Sequence, residues 1–179
     1  MRSLETILEN LHRAQTAFLS AADTVQADRW TACPSEGCWS AGQLVAHLIG
    51  VERSCIAMAD RIVQHSPRPV PFLRRFHVPM AIVESRLIRR KAPSPPDIQL
   101  LREKEEMLAE LRGVRERTLA FIEETRGRDL RPYRYKHSFL GSLNLYEWFQ
   151  FIASHEIRHT KQMREIAANL PKVVASLQK

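Results

Sequence analysis

The chain has 179 residues, of which 44% are hydrophobic and 26% charged, a composition that excludes a disordered or fibrous protein. This length predicts one domain, residues 1–179, with enough apolar side chains for a buried core. The net charge is +7, and no apolar run is long enough for a membrane span or a signal peptide. We therefore expect a cytoplasmic protein without a membrane partner.

A first amphipathic helix is predicted from Leu4 to about Val25. Its apolar stripe recurs at helical spacing and consists of Leu4, Ile7, Leu8, Leu11, Ala14, Phe18, Ala22 and Val25. His12 falls off this stripe, so we expect it to face solvent. Residues 26–39 contain Pro34 and Gly37, which indicate a loop.

A second helix is predicted to begin at Ser40, with Gln43 as the partner in a capping box. Its inward stripe consists of Leu44, Leu48, Val51, Cys55, Met58 and Ile62. His47 lies on the flank of that stripe and can reach the interior of a bundle. A lone histidine in such a position is more often structural. Whether His47 binds a metal therefore depends on whether the last helix supplies further ligands.

A proline-rich crossover, residues 67–96, separates the second helix from the third and contains a short helical candidate from Met80 to Arg90. The third long helix is predicted to begin at the cap Asp97 and to run to about Thr125, followed by Gly127 as a C-terminal cap. Its stripe is Leu100, Met107, Leu111, Val114, Thr118 and Phe121. Residues 102–106, which mix charges, are predicted to be solvated. No strand pattern is evident.

The last helix is predicted from Leu143 to Leu170, with Asn144 and Glu147 forming a capping box and Pro171 following its end. Its stripe consists of Leu145, Trp148, Phe149, Ile152, Met163, Ile166 and Leu170. His159 falls inside this stripe and His155 at its edge.

His155 and His159 are four residues apart, so they lie on one face of the helix, where two imidazoles can hold one cation. The alternative is a pair of core histidines that only form hydrogen bonds. Two inward histidines at this spacing favour a metal site, and a metal site needs at least a third ligand. His47 is the candidate for that ligand, because bundle cores build metal sites from facing helices.

Residues 155–159 also match the H-E-x-x-H pattern of zinc metalloproteases, in which the glutamate, here Glu156, acts as general base. The extended pattern with a downstream glycine and third histidine is absent. Glu165 is the only acid after the pair, and it lies too near in sequence for the usual protease layout. The sequence therefore favours a metal site over a protease.

Cys33, Cys38 and Cys55 are an odd number of cysteines, which predicts free thiols rather than a disulfide framework. Two segments carry most of the positive charge: residues 68–91, with seven Lys/Arg against Glu84, and residues 126–136, with five against Asp129. Such segments attract anions, but no nucleic-acid-binding motif accompanies them. We expect solvated basic faces and no nucleic-acid partner.

Four long helices with a long crossover between the second and third predict an all-α four-helix bundle. The chain resembles the DinB-like family of such bundles, which includes YfiT-type metal-dependent hydrolases and thiol S-transferases. The residues that carry the resemblance are Trp39, Ser40, His47, Leu48, the run from Phe139 to Leu143, Glu147, Trp148, His155 to His159, and Gln162.

The resemblance implies a metal site of His47, His155 and His159, with zinc or nickel as the divalent ion and with coordination positions left open. Many members carry a glutamate upstream of the first histidine, where this chain offers Gln43. Gln43 and Glu156 are therefore only weak candidates for catalytic residues.

Three functions follow as hypotheses. The first is a metal-dependent transferase that joins a low-molecular-weight thiol, such as bacillithiol or mycothiol, to a small-molecule substrate. The second is a metal-dependent hydrolase. The third is a non-enzymatic bundle that acts through its basic surface. Bundles of this family often form homodimers, so a second copy is an expected partner.

Overall fold

The computed structural model describes residues 3–67, 81–84 and 101–170. Four long helices run through this part of the chain: α1 (Leu4–Asp23), α2 (Ala41–Val63), α4 (Lys104–Glu124) and α5 (Leu145–Asn169). Helix α1 packs against α5, and α2 packs against both α4 and α5. This arrangement confirms the predicted all-α four-helix bundle. No helix in the described ranges is long and apolar enough to cross a membrane.

The predicted helix starts are confirmed where capping residues mark them. Ser40 accepts from the backbone N–H of Gln43, and the Gln43 side chain accepts from the backbone N–H of Ser40. Asn144 and Glu147 form the same reciprocal pair at the start of α5. These caps satisfy backbone donors that have no partner inside the helix.

Helix α4 begins at Lys104 with Glu103 at its N-cap, so the predicted start at Asp97 is wrong for the described residues 101–103, which are not helical. Asp97 itself lies outside the described residues. The prediction of a solvated face also fails at Lys104, which is buried. Its ammonium donates to the carbonyl oxygen of Val25 at 2.8 Å, just after α1 ends. The long aliphatic stem of lysine allows this charge to reach the carbonyl oxygens of Asp23, at the end of α1, and of Val25 just beyond it.

A short antiparallel hairpin precedes α5, although no strand pattern is evident in the sequence. Strand β1 (Arg134–His137) pairs with β2 (Gly141–Asn144), and Tyr135 lies opposite Leu143. The tight turn is helped by Gly141, whose φ of 92° is a left-handed value that glycine adopts readily. The described part of the crossover is the helical turn α3 (Ala81–Glu84), which lies against α5. The rest of the helical candidate from Met80 to Arg90 lies outside the described residues.

The described core consists of two apolar clusters with a polar layer between them. The first cluster joins the start of α1 and α5 to the ends of α2 and α4, and the second joins the opposite ends of these helices. The buried polar residues at the middle of the bundle are Glu52, Arg115, Thr118, Glu156 and Thr160. The buried face of α2 differs from the predicted stripe. Val51, Met58 and Ile62 of that stripe are only half-buried, whereas Ile49 and Ile56, outside the stripe, are buried.

Candidate metal centre

Two helices bring three histidines together at the level of the polar layer. His47 comes from the second turn of α2, whereas His155 and His159 lie one turn apart on α5. One nitrogen from each ring lies within 4.8 Å of the others. His47 and His159 are buried and His155 is half-buried. The structure therefore places the three predicted ligands in one group.

The distances within this group match those expected around a single cation. Nε2 of His155 lies 3.4 Å from Nε2 of His47 and 3.0 Å from Nε2 of His159. Imidazole nitrogens bind zinc at about 2.0–2.1 Å, which places two ligand nitrogens about 2.8–3.4 Å apart at angles between 90° and tetrahedral. The two distances from His155 therefore suit nitrogens that share one divalent ion.

Burial favours the neutral form of His47 and His155, which is the form that binds metal. It lowers the pKa of His47 to about 4. The pKa of His155 also lies well below its ordinary value, because of burial and then of the neighbouring His159 and His47. Nε2 of His155 has two close nitrogen neighbours, and a proton on it can point at only one of them. A cation between the rings would instead accept a lone pair from each of the three nitrogens.

Gln162 fixes the orientation of one candidate ligand. Its Oε1 lies 3.0 Å from Nδ1 of His159, so Nδ1–H donates to the amide oxygen and leaves the lone pair on Nε2. That lone pair is the one that faces the other two histidines. Metal-binding histidines are commonly oriented by an acceptor on the ring nitrogen that does not bind the metal.

Aromatic rings line the histidine cluster on two sides. The half-buried Trp39 lies 5.0 Å from the ring of His47, and Phe151 stacks on His155 at 5.2 Å. The hairpin then places His137 4.6 Å from Phe151. Backbone N–H groups of Phe139 and Leu140 both donate to Nδ1 of His137. Sequence reasoning gave His137 no role, because only the hairpin brings it to this end of the bundle.

The two weak catalytic candidates are held by other groups. The Gln43 side chain closes the capping box one turn before His47. Glu156 is buried and accepts from Nη2 of Arg115 at 2.9 Å. Burial raises the pKa of Glu156 to about 7, although Arg115 opposes the shift. Among the residues that the structure describes, no carboxylate groups with the three imidazoles.

Two other histidines of the described chain, His12 and His65, and the three cysteines have no part in this cluster. His12 and His65 are exposed, and His77 is not described. Cys33, Cys38 and Cys55 are free thiols, as predicted.

In the basic segment 126–136, most of the arginines have local partners. Arg126 pairs with Glu123, Arg131 pairs with Asp129, and Arg134 donates to Ser142 and Glu147. Such pairing leaves this segment few uncompensated charges for an anionic ligand. Residues 68–80 and 85–91 of the other basic segment lie outside the described residues.

Comparison with known proteins places the bundle and its histidines in one family. A sequence model of the DinB superfamily matches residues 10–163, which include all three histidines of the cluster. The chain is also similar to the uncharacterized protein YuaE of Bacillus subtilis (strain 168). The two are 28% identical over 135 residues, which cover 74% of this chain and 80% of that protein.

Proposed function

Because the chain belongs to the DinB superfamily, we propose that it binds a divalent metal ion through His47, His155 and His159 and acts as a metal-dependent transferase on a small molecule. The observation that carries this proposal is the convergence of three imidazoles, with Nε2 of His155 3.4 Å from that of His47 and 3.0 Å from that of His159. Zinc and nickel both suit nitrogen ligands of this kind. When bound, such an ion supplies positive charge that favours the deprotonated form of a thiol or a water beside it.

The described surroundings support a thiol rather than water as the nucleophile. Water needs a much larger pKa shift than a thiol, because a thiol ionises near pH 8.5 and bulk water only at about 15.7. A general base would help to remove the proton from water. Gln43 cannot serve as one, because its amide is not basic, and no carboxylate of the described residues groups with the three imidazoles. A low-molecular-weight thiol that attacks an electrophilic small molecule therefore requires a smaller pKa shift than water does, and it does not require a general base.

The aromatic side chains supply a reason why a small organic substrate would bind here. Trp39 is half-buried, and its ring centroid lies 5.0 Å from that of His47. Accessible aromatic faces bind apolar and planar groups, and such side chains line most small-molecule sites. We propose Trp39 as part of the substrate-binding surface. The homodimer stays a prediction.

Metal content tests the first half of the proposal. Untagged protein purified without chelator is expected to carry close to one equivalent of zinc, nickel or another divalent ion by elemental mass spectrometry. His159→Ala should abolish this, whereas His65→Ala, which changes an exposed histidine, should leave it intact. An absence of metal in the wild type, even after titration with zinc and nickel, would contradict the proposal.

Thiol consumption tests the second half. The metal-loaded protein is incubated with a panel of low-molecular-weight thiols and an electrophile such as a haloalkane or an epoxide, and loss of free thiol is followed. We expect consumption that depends on both the metal and His159. Thiol-independent hydrolysis of simple ester substrates would support a hydrolase instead. No turnover by a metal-loaded protein would favour a non-enzymatic role.

A further inference from the structure

A buried arginine at the centre of the bundle connects helix α4 to the other three long helices of the described chain. Only 1% of Arg115 is exposed. Its Nε and Nη2 donate to the two carboxylate oxygens of Glu52 on α2, at 2.8 and 3.0 Å. Nη2 also donates to Glu156 on α5 at 2.9 Å, and Nη1 donates to the carbonyl oxygen of Leu11 on α1 at 2.7 Å.

Both carboxylates of this network lie on the helices that supply the histidines. Glu52 follows His47 by five residues on α2, and Glu156 is the residue directly after His155 on α5. The cluster of imidazoles therefore spans the same pair of helices that Arg115 ties together. A shift of α2 relative to α5 would lengthen the contacts of Arg115 and the distance from His47 to His155 together.

We infer that Arg115 is a positioning residue for the metal centre, acting through Glu52 and Glu156 to set the separation of the ligand-bearing helices. This inference rests on the proposed metal function. Buried ion pairs contribute little net stability compared with apolar side chains of similar volume, so stability alone gives a weak reason for the network. A planar guanidinium has donors that hold two carboxylates in fixed directions, which suits the role of spacer between helices.

The test separates metal affinity from folding. In the main variant Glu52→Met, Arg115→Met and Glu156→Met are combined, so that no buried charge is left without a partner. We expect this variant to retain a cooperative thermal transition but to bind zinc at least about tenfold more weakly in competition with a chromogenic chelator, as for other groups that orient metal ligands. The visible spectrum of its cobalt-substituted form should also change, because this spectrum reports ligand geometry.

Arg115→Lys is the second variant, and it keeps the charge. A single ammonium cannot reproduce the forked contacts to Glu52 and Glu156, so zinc affinity should fall even where folding is kept. Arg117→Met is the matched control, because it removes an exposed ion pair to Asp60 that spans the same two helices, α4 and α2. Its zinc affinity should stay within about twofold of the wild type, since exposed pairs contribute little.

The outcomes distinguish this inference from the proposed function. A wild type that takes up no zinc, nickel or cobalt overturns both. A wild type that binds metal, together with a folded triple or Lys variant of unchanged zinc affinity and unchanged cobalt spectrum, overturns only the positioning role. Should the triple variant fail to fold, the Lys variant decides the question by the same two measurements.

Discussion

Oε1 of Gln162 lies 3.0 Å from Nδ1 of His159, one turn further along the same helix. This contact holds the ring with Nε2 toward His155. Gln162→Leu removes the acceptor, so we expect zinc affinity to fall by about 10- to 100-fold while the fold is kept. Competition with a chromogenic chelator measures this change. Arg164→Gln, at an exposed position two residues later, is the control, and equal affinities for both variants would contradict the prediction.

Removal of the metal is expected to leave the protein folded. The two apolar clusters and the three side-chain helix caps of the described chain involve none of the three histidines. After treatment with chelator, we expect the helical circular dichroism signal and a cooperative melting transition to persist. The midpoint should decrease only by the amount that ligand linkage requires, and it should rise again with added zinc. Loss of the transition would instead indicate a structural metal site.

The stability of the metal-free protein should depend on pH through His47. Its pKa is lowered by burial to about 4 in the folded state, from about 6.5 in the unfolded chain. As pH falls, the unfolded state therefore takes up this proton first. The His47 contribution is complete above pH 6.5 and is lost between pH 6.5 and 4, at about 1.4 kcal/mol per pH unit.

Urea unfolding at pH 7, 6 and 5, with wild type and His47→Gln compared, measures this contribution. The free energy of unfolding of the wild type should fall more steeply with decreasing pH than that of the variant. Parallel pH dependence of the two proteins would show that His47 is not held neutral by the fold. Chelator must be present throughout, so that metal binding does not add to the difference.

Two glycines on α2 should respond in opposite directions to alanine. A Cβ at Gly42 would lie 3.0 Å from Nε1 of Trp30 and 3.0 Å from Cδ2 of Leu101, whereas a Cβ at Gly50 meets nothing within 4 Å. Trp30 is buried and donates to the sulfur of Met107, so it cannot move away freely. Gly42→Ala should destabilise the protein by about 1–3 kcal/mol.

Gly50→Ala should stabilise it by about 0.5–1 kcal/mol, because alanine loses less backbone entropy in a helix than glycine. Thermal and urea unfolding of both variants provide the measurement. Stabilisation by both substitutions would mean that Trp30 and Leu101 accommodate a methyl group at Gly42. Destabilisation by both would mean that the surroundings of Gly50 are tighter than the structure shows.

The helices and the grouping of the histidines could be predicted because their signals are local in sequence. Ser40 with Gln43 and Asn144 with Glu147 satisfy backbone donors within one turn, so each cap can be recognised from four residues. The spacing of His155 and His159 places them on one face of any helix. His47 could be added because an amphipathic helix directs its flank toward neighbouring helices.

The start of α4 could not be predicted in the same way. Asp97 is a plausible cap by composition, but Glu103 holds the N-cap position and Lys104 turns inward. The inward position of Lys104 depends on a tertiary contact, because its ammonium donates to the carbonyl oxygen of Val25, which is 79 residues earlier in the chain. From the sequence alone, a charged side chain is expected to face solvent, because a partner far away in the chain is not known.

By itself, the sequence determined the helical class, the helix caps and which three histidines can meet, since each depends on periodicity or on contacts within a few residues. Only the tertiary structure decided the surroundings of the site. The packing of the helices places Glu52 and Glu156 around the guanidinium of Arg115, and the hairpin brings His137 beside Phe151. These contacts join residues far apart in the chain, and their partners follow from how the helices pack rather than from local spacing.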